Sequence, residues 1–152
     1  DADLSMPIEG LEAFLARMAE GYDIVIGSRQ KAGARRYGEP KGRHIIGRVF
    51  NWSVRLMTVG GFEDTQCGFK LFSMQQCRRI FELQRLERFA FDVEILLIAH
   101  QLGLQTDEVP VVWRHAEGST LNFFRDGPKM LWDLLKIRWY ALSGKYSSSG
   151  SP

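Results

Sequence analysis

The sequence predicts an α/β domain, and three observations carry that reading. An amphipathic stretch near the start runs directly into a short β-branched segment, further helical stretches follow, and another strand-like segment lies around residue 110. The 152 residues are 45% hydrophobic and 25% charged, the composition of an ordinary globular chain of one domain. Ten Phe, four Trp and four Tyr supply a core that needs no disulfide.

From Pro7 to Met18 the residues Ile8, Leu11, Phe14, Leu15 and Met18 recur at helical spacing, with Ser5 placed to cap and Pro7 suited to the first turn. This helix is expected to end near Gly21. Residues 22–29 are β-branched in their middle and break at Gly27-Ser28, as a buried strand does on reaching a loop. Arg29, Lys31, Arg35, Arg36, Lys41 and Arg43 then stand among Gly33, Gly38, Pro40 and Gly42 without apolar periodicity, so residues 29–43 are expected to form a basic, mobile loop. A second helix is expected over 44–58, with Ile46, Val49, Phe50, Ser53, Leu56 and Met57 on one face and Gly60-Gly61 at its end.

Residues 68–73 alternate like a strand, and 74–83 read as a short helix exposing Arg78 and Arg79. Residues 91–102 read as a buried helix closed by Gly103. A further strand is expected over 105–113, with Val109, Val111 and Trp113 on one face and Pro110 marking an edge or a bulge. The last helix, 127–142, mixes Met130, Leu134, Leu135, Ile137 and Trp139 with Lys129, Lys136 and Arg138, which suits a helix lying against a membrane surface or a partner. The Ser-rich tail, 147–152, is expected to be flexible.

Several classes are excluded at this level. Lys and Arg number 20 against 18 Asp and Glu, and the net charge of +2 gives no electrostatic basis for nucleic-acid binding. No apolar run approaches the roughly 20 residues of a membrane-spanning helix. The chain opens on Asp-Ala-Asp without a methionine or a leader, from which it is expected to be a piece of something longer. Cys67 and Cys77 form neither a metal pair nor a disulfide framework and are expected to be buried structural thiols in a reducing compartment. His44, His100 and His115 share no metal-ligand spacing, and the common nucleotide and hydrolase signatures are absent.

Four groups of residues suit chemistry. Asp1 and Asp3, two apart, put carboxylates on one side of a strand end, where they suit Mg²⁺ or Mn²⁺; taken alone, such a pair is more often a solvated loop or a helix cap. The Gly-rich basic segment can gather around a phosphate or stand as a solvated charged loop. Residues 64–70 pack an acid, an amide and a thiol into a turn before a strand, where α/β folds place ligand-facing groups. Asp92 and Glu94 open an apolar helix, where acids serve either chemistry or free amides and the helix dipole.

In order, Asp1-Ala2-Asp3, Gly27-Ser28-Arg29, Asp64-Thr65-Gln66-Cys67-Gly68-Phe69-Lys70-Leu71-Phe72, Phe89-Ala90-Phe91-Asp92-Val93-Glu94, and Trp113 with Gly118-Ser119 resemble family 2 glycosyltransferases of the GT-A fold. The nearest likeness is to enzymes that glucosylate dolichyl phosphate, with polyprenyl-phosphate mannose synthases next. The resemblance implies that residues 1–146 are the C-terminal part of a GT-A, Rossmann-like glycosyltransferase domain, a mixed sheet flanked by helices. They would comprise the metal motif and acceptor half without the N-terminal nucleotide-binding half, followed by the tail 147–152.

The implied reaction moves glucose from UDP-glucose, with inversion, to a polyprenyl-phosphate lipid, in a cytoplasmic enzyme peripheral at the membrane face. Asp1 and Asp3 would hold the donor diphosphate through Mg²⁺ or Mn²⁺; where relatives use an amide as third ligand, this chain has Ser5. Arg29, Arg43 and Arg48 would hold the acceptor phosphate. Asp64, Gln66 and Gly68, with Trp113 and Ser119 from a closing loop, would line the nucleotide-sugar donor and acceptor cleft. Asp92 and Glu94 are the catalytic candidates, Asp92 as a base or as a group orienting a sugar hydroxyl. The 152 residues alone are expected to bind UDP-glucose poorly and turn over little. Competing readings are a mannosyltransferase using GDP-mannose and a non-catalytic membrane-surface module; no oligomeric state is implied.

Overall fold

A computed structural model describes residues 6–38, 41–58, 60–87, 90–114 and 123–146, with the backbone alone for 41–46 and 123–125. After a 3₁₀ turn at Ile8–Gly10 the chain runs α1 (Leu11–Ala19), β1 (Ile24–Ser28), β2 (Arg35–Tyr37), α2 (Lys41–Met57), β3 (Lys70–Phe72), α3 (Met74–Leu83), α4 (Phe91–Gln101), β4 (Thr106–Pro110), β5 (Val112–Arg114) and α5 (Phe123–Leu142). The central sheet has the order β3-β1-β4 and is mixed: β1 runs antiparallel to β3, with Ile26 opposite Lys70, and parallel to β4, with Ile26 opposite Glu108.

Strand β1 is apolar at consecutive positions because both of its faces are covered. Strand side chains alternate, and Ile24 and Ile26 enter a cluster with Cys77, Ile80, Val93, Leu96, Leu134 and Ile137. Val25, on the opposite face, meets Phe14, Cys67, Val109 and Val111. Helix α1 thus covers one side of the sheet, and α3, α4 and α5 cover the other. Helix α4 is buried from Val93 to Ala99, which is why its sequence shows no polar stripe. Gly103, at φ 72°, takes the left-handed conformation that ends it.

The strand breaks at Gly27-Ser28 because the neighbouring chain comes close there. A Cβ on Gly27 would lie 2.9 Å from Cys67 Sγ, 3.0 Å from Val111 Cγ1 and 3.3 Å from the Phe69 carbonyl oxygen. Gly27→Ala is therefore expected to cost about 1–3 kcal/mol of stability by overpacking, read as a lower urea midpoint at unchanged m-value.

Several elements differ from the sequence expectation. Residues 29–43 are not a continuous loop: they contain β2, which pairs in parallel with β5, and the first turn of α2. Hydrogen bonds hold this polar segment where apolar periodicity could not announce it; the Arg36 Nε donates to the Arg29 carbonyl at 2.7 Å. The single strand expected over 105–113 is two, β4 and β5. At Val111 the chain passes from one sheet to the other, its N–H donating to the Ser28 carbonyl at 3.1 Å and its carbonyl accepting from the Arg35 N–H at 3.0 Å. Pro110 thus ends an edge strand, as its missing N–H favours.

The helix expected from Pro7 begins at Leu11; Ile8, in the 3₁₀ turn before it, and Leu15 are exposed, and α1 buries Phe14. In α2 the inner residues are Val54, with Phe50 and Met57 beside it, while Val49, Trp52 and Leu56 face outward. Helix α5 begins four residues earlier than expected (127 against 123) and contains Pro128. The tail 147–152 lies outside the described residues.

Candidate active site

The parallel strands β1 and β4 end at Ser28 and Pro110, and the antiparallel β3 begins at the same end of the sheet. Loops leaving that edge therefore converge, and open α/β sheets place ligands outside the carboxyl ends of their strands. Arg29 follows β1 and the turn at residues 63–69 precedes β3; Trp113, expected in a closing loop, stands instead in β5, opposite Arg36.

Arg29 is held from several directions. Its backbone N–H and Nε donate to Asp64 Oδ2 at 2.9 Å and 2.6 Å, and its Nη2 donates to Oδ1 at 2.9 Å. This is a bidentate fork whose geometry lysine could not reproduce. The guanidinium carbon also sits 5.6 Å from the centre of the Trp113 ring. Asp64 is buried, which by itself would raise its carboxyl pKa; the Arg29 guanidinium and amide more than reverse this and leave it below the usual carboxylate value. The Arg29 side chain keeps 23% of its surface exposed.

The acid of the turn is fixed by two further residues that the sequence reading missed. Glu108, buried on β4, accepts the N–H of Asp64 at 2.8 Å and that of Glu63 at 2.8 Å. From α2, Asn51 Oδ1 accepts from the Thr65 hydroxyl at 3.0 Å and the Thr65 N–H at 3.3 Å, and its Nδ2 donates to the Glu63 carbonyl. The available signal for Glu108 was an acid set against Val109-Pro110-Val111 at a strand end; Asn51 had none. Gln66 is half-buried, its N–H donating to Asp64 Oδ1 at 3.3 Å, and Gly68 stands half-buried just before β3.

Arg48 is exposed and lines an open cleft of about 110 Å³ with Gln30, Asn51, Trp52, Arg55 and Glu63. Gln30 follows Arg29 in the chain; Arg29 itself does not line the cleft. Arg43 lies in the first turn of α2, and its side chain is outside the described residues, as are Asp1, Asp3, Ser5 and Ser119. Among the described residues no group of His, Cys, Asp and Glu side chains is arranged to hold a metal ion.

The two acids of α4 part company, as helix positions two apart must. Asp92 points to the sheet edge and pairs with Lys70 Nζ at 2.6 Å; Lys70, itself buried, also donates to the Cys67 carbonyl. Glu94 is fully buried and faces the interior. It accepts the N–H groups of Arg85 at 3.1 Å and Leu86 at 2.8 Å and the Tyr146 hydroxyl at 2.6 Å. The structure thus brings Arg29, Asp64, Trp113 and Asp92 to one end of the sheet and sets Glu94 apart. Cys67 and Cys77 are buried free thiols, as expected. Burial pushes both up, Cys77 to about 11, so neither is an activated nucleophile.

A mixed sheet flanked by helices, with a clamped arginine at its carboxyl edge, is a Rossmann-like arrangement. No family model matches the chain. Its relatives are dolichyl-phosphate beta-glucosyltransferases. That of Dictyostelium discoideum is 43% identical over 102 residues, 67% of this chain and 31% of that protein. The human protein is 42% identical over 104 residues, 68% and 32% of the two chains, and one from Trichomonas vaginalis is 35% identical over 125 residues, 82% and 37%. The chain is homologous to part of these proteins and spans about a third of their length.

Proposed function

We propose that this chain forms the acceptor side of an inverting glucosyltransferase that moves glucose from UDP-glucose to a dolichyl or related polyprenyl phosphate. The clamped Arg29 carries the reading: a cation fixed by Asp64, backed by Trp113 and partly exposed at the carboxyl edge of the sheet is suited to a monophosphate. Arg48, exposed on α2, adds a positive charge to the neighbouring cleft, and Arg43 stands on the same helix.

A lipid monophosphate carries about 1.5 to 2 negative charges at neutral pH. Its oxygen needs little help from a base to attack the sugar C1 as the C1–O bond to the diphosphate breaks and the configuration inverts. The protein's task is positioning. Arg29 holds the phosphate in line, and Asp92, drawn to Lys70, orients a sugar hydroxyl. Asp1 and Asp3 offer the hard oxygen donors that Mg²⁺ or Mn²⁺ takes, and such an ion, when bound, would neutralise the leaving diphosphate.

A place at the membrane face is supported by α5, where Leu131, Trp132, Leu135, Trp139 and Leu142 form one exposed stripe beside Arg138. No helix among the described residues is long and apolar enough to cross a membrane.

The test is transfer of radiolabelled sugar to polyprenyl phosphate by the gene product that carries this chain, with UDP-glucose or GDP-mannose as donor, with and without Mg²⁺. Metal-dependent glucosyl-lipid, lost in Asp1→Ala and Asp3→Ala, is the expected result. Mannosyl-lipid would correct the donor; transfer from neither would overturn the reading.

A further inference from the structure

We infer that Glu108 is a positioning residue for the Arg29 guanidinium, acting through Asp64. The turn at residues 63–65 has no helix or strand of its own, yet it carries the carboxylate that orients Arg29. Glu108 takes hold of that turn by its backbone. Its Oε1 and Oε2 accept the N–H groups of Asp64 and Glu63, each at 2.8 Å, so the two residues are fixed in height and rotation together.

The origin of this grip is the sheet. Glu108 lies opposite Ile26 on the strand that pairs with β1, so it shares a rigid frame with the start of the loop that it orients. From that loop Lys31 Nζ returns to the Glu108 carbonyl. The sequence of restraint is thus β4, turn, Asp64, Arg29, closing on β1.

A carboxylate is an unusual group to bury at this edge unless its two acceptor oxygens are needed. Burial pushes the Glu108 carboxyl up; the two amides and the Ser28 hydroxyl draw it back, while the Asp64 charge opposes ionisation. Two diverging acceptors on one rigid plane suit two adjacent amides. A glutamine would offer one acceptor and turn an NH₂ donor against the second amide.

The assignment of Arg29 to a phosphate rests on the proposed function, whereas the mechanical link to Glu108 does not, and the experiment separates the two. In the ¹⁵N–¹H spectrum of the chain, Glu108→Gln is expected to speed solvent exchange of the Arg29 Nε–H about tenfold, the equivalent of one net hydrogen bond. The Arg17 Nε–H, bound to Asp107 at 2.6 Å, serves as control and is expected to change little. Unchanged Arg29 exchange, or equal acceleration at both arginines, would overturn the inference in favour of a general structural role.

In the gene product, Glu108→Gln is expected to raise the KM for polyprenyl phosphate about tenfold with little change in kcat, and to have no further effect in an Arg29→Ala background. Faster Arg29 exchange with an unchanged KM would uphold the link and contradict the phosphate role of Arg29. Should Glu108→Gln not fold, Glu108→Asp, which keeps both acceptors on a stem one methylene shorter, gives the same comparison.

Discussion

Arg29→Ala is expected to destabilise the fold by about 3 kcal/mol, because it leaves the Asp64 carboxylate buried without its countercharge. The effect carries a sign in pH. In the wild-type protein the Asp64 pKa is lowered, so its contribution is present above the unfolded value of about 3.9 and is lost as pH falls through the folded one. Without the guanidinium the burial that opposes ionisation is countered only by the residue-29 amide and the Arg36 charge, so the folded pKa rises. Urea unfolding between pH 3 and pH 8 should therefore show acid-side destabilisation in the wild type and a smaller acid-side loss in the variant. Arg29→Lys, which restores the charge but not the fork, should recover part of the loss.

The second large effect belongs to Glu94. Glu94→Ala is expected to cost about 3 kcal/mol, since it orphans the amides of Arg85 and Leu86 and the buried Tyr146 hydroxyl together. Burial, and then the neighbouring Glu94 carboxylate, hold the Tyr146 phenol far above its ordinary range, so the tyrosine stays a donor. Tyr146→Phe removes one partner and leaves the two amides satisfied, and should cost only about 1 kcal/mol. Urea unfolding of the two variants checks the ratio. Because Glu94 faces the core, Tyr146→Phe should leave phosphate affinity unchanged, which separates this acid from Asp92.

The difference between the two acids shows what was legible in sequence and what was not. Both stand in the first turn of α4, and both fit the resemblance equally well. Only the packing of the segment after α3, and of the chain beyond α5, decides that one caps buried amides and the other meets a lysine. The buried strand β1, the short helix α3 and the buried helix α4 were legible because each is fixed by its own apolar pattern. Residues 29–43 were not, since β2 exists through a pairing with β5, far away in sequence, and through arginines whose partners are carbonyls and carboxylates. The same holds for the clamp. Arg29 and Asp64 could each be singled out, but their fork joins residues 35 apart, and Glu108 and Asn51 enter only when the sheet and α2 close on the turn.

Helix α5 gives the converse case. Its mixed composition suits a helix lying against a membrane surface or a partner, but of the apolar residues that carry that reading Met130, Leu134 and Ile137 go inward, while Leu135 and Trp139, with Trp132, go out.

The most direct measurement is a titration of polyprenyl phosphate, held in lipid bicelles, into the chain and its Arg29→Ala variant, with polyprenol in bicelles as the neutral control. Saturable binding of the phosphate, weakened about tenfold or more in the variant and absent for polyprenol, is the predicted result. Equal affinity of the two proteins, or equal binding of polyprenol, would contradict the account.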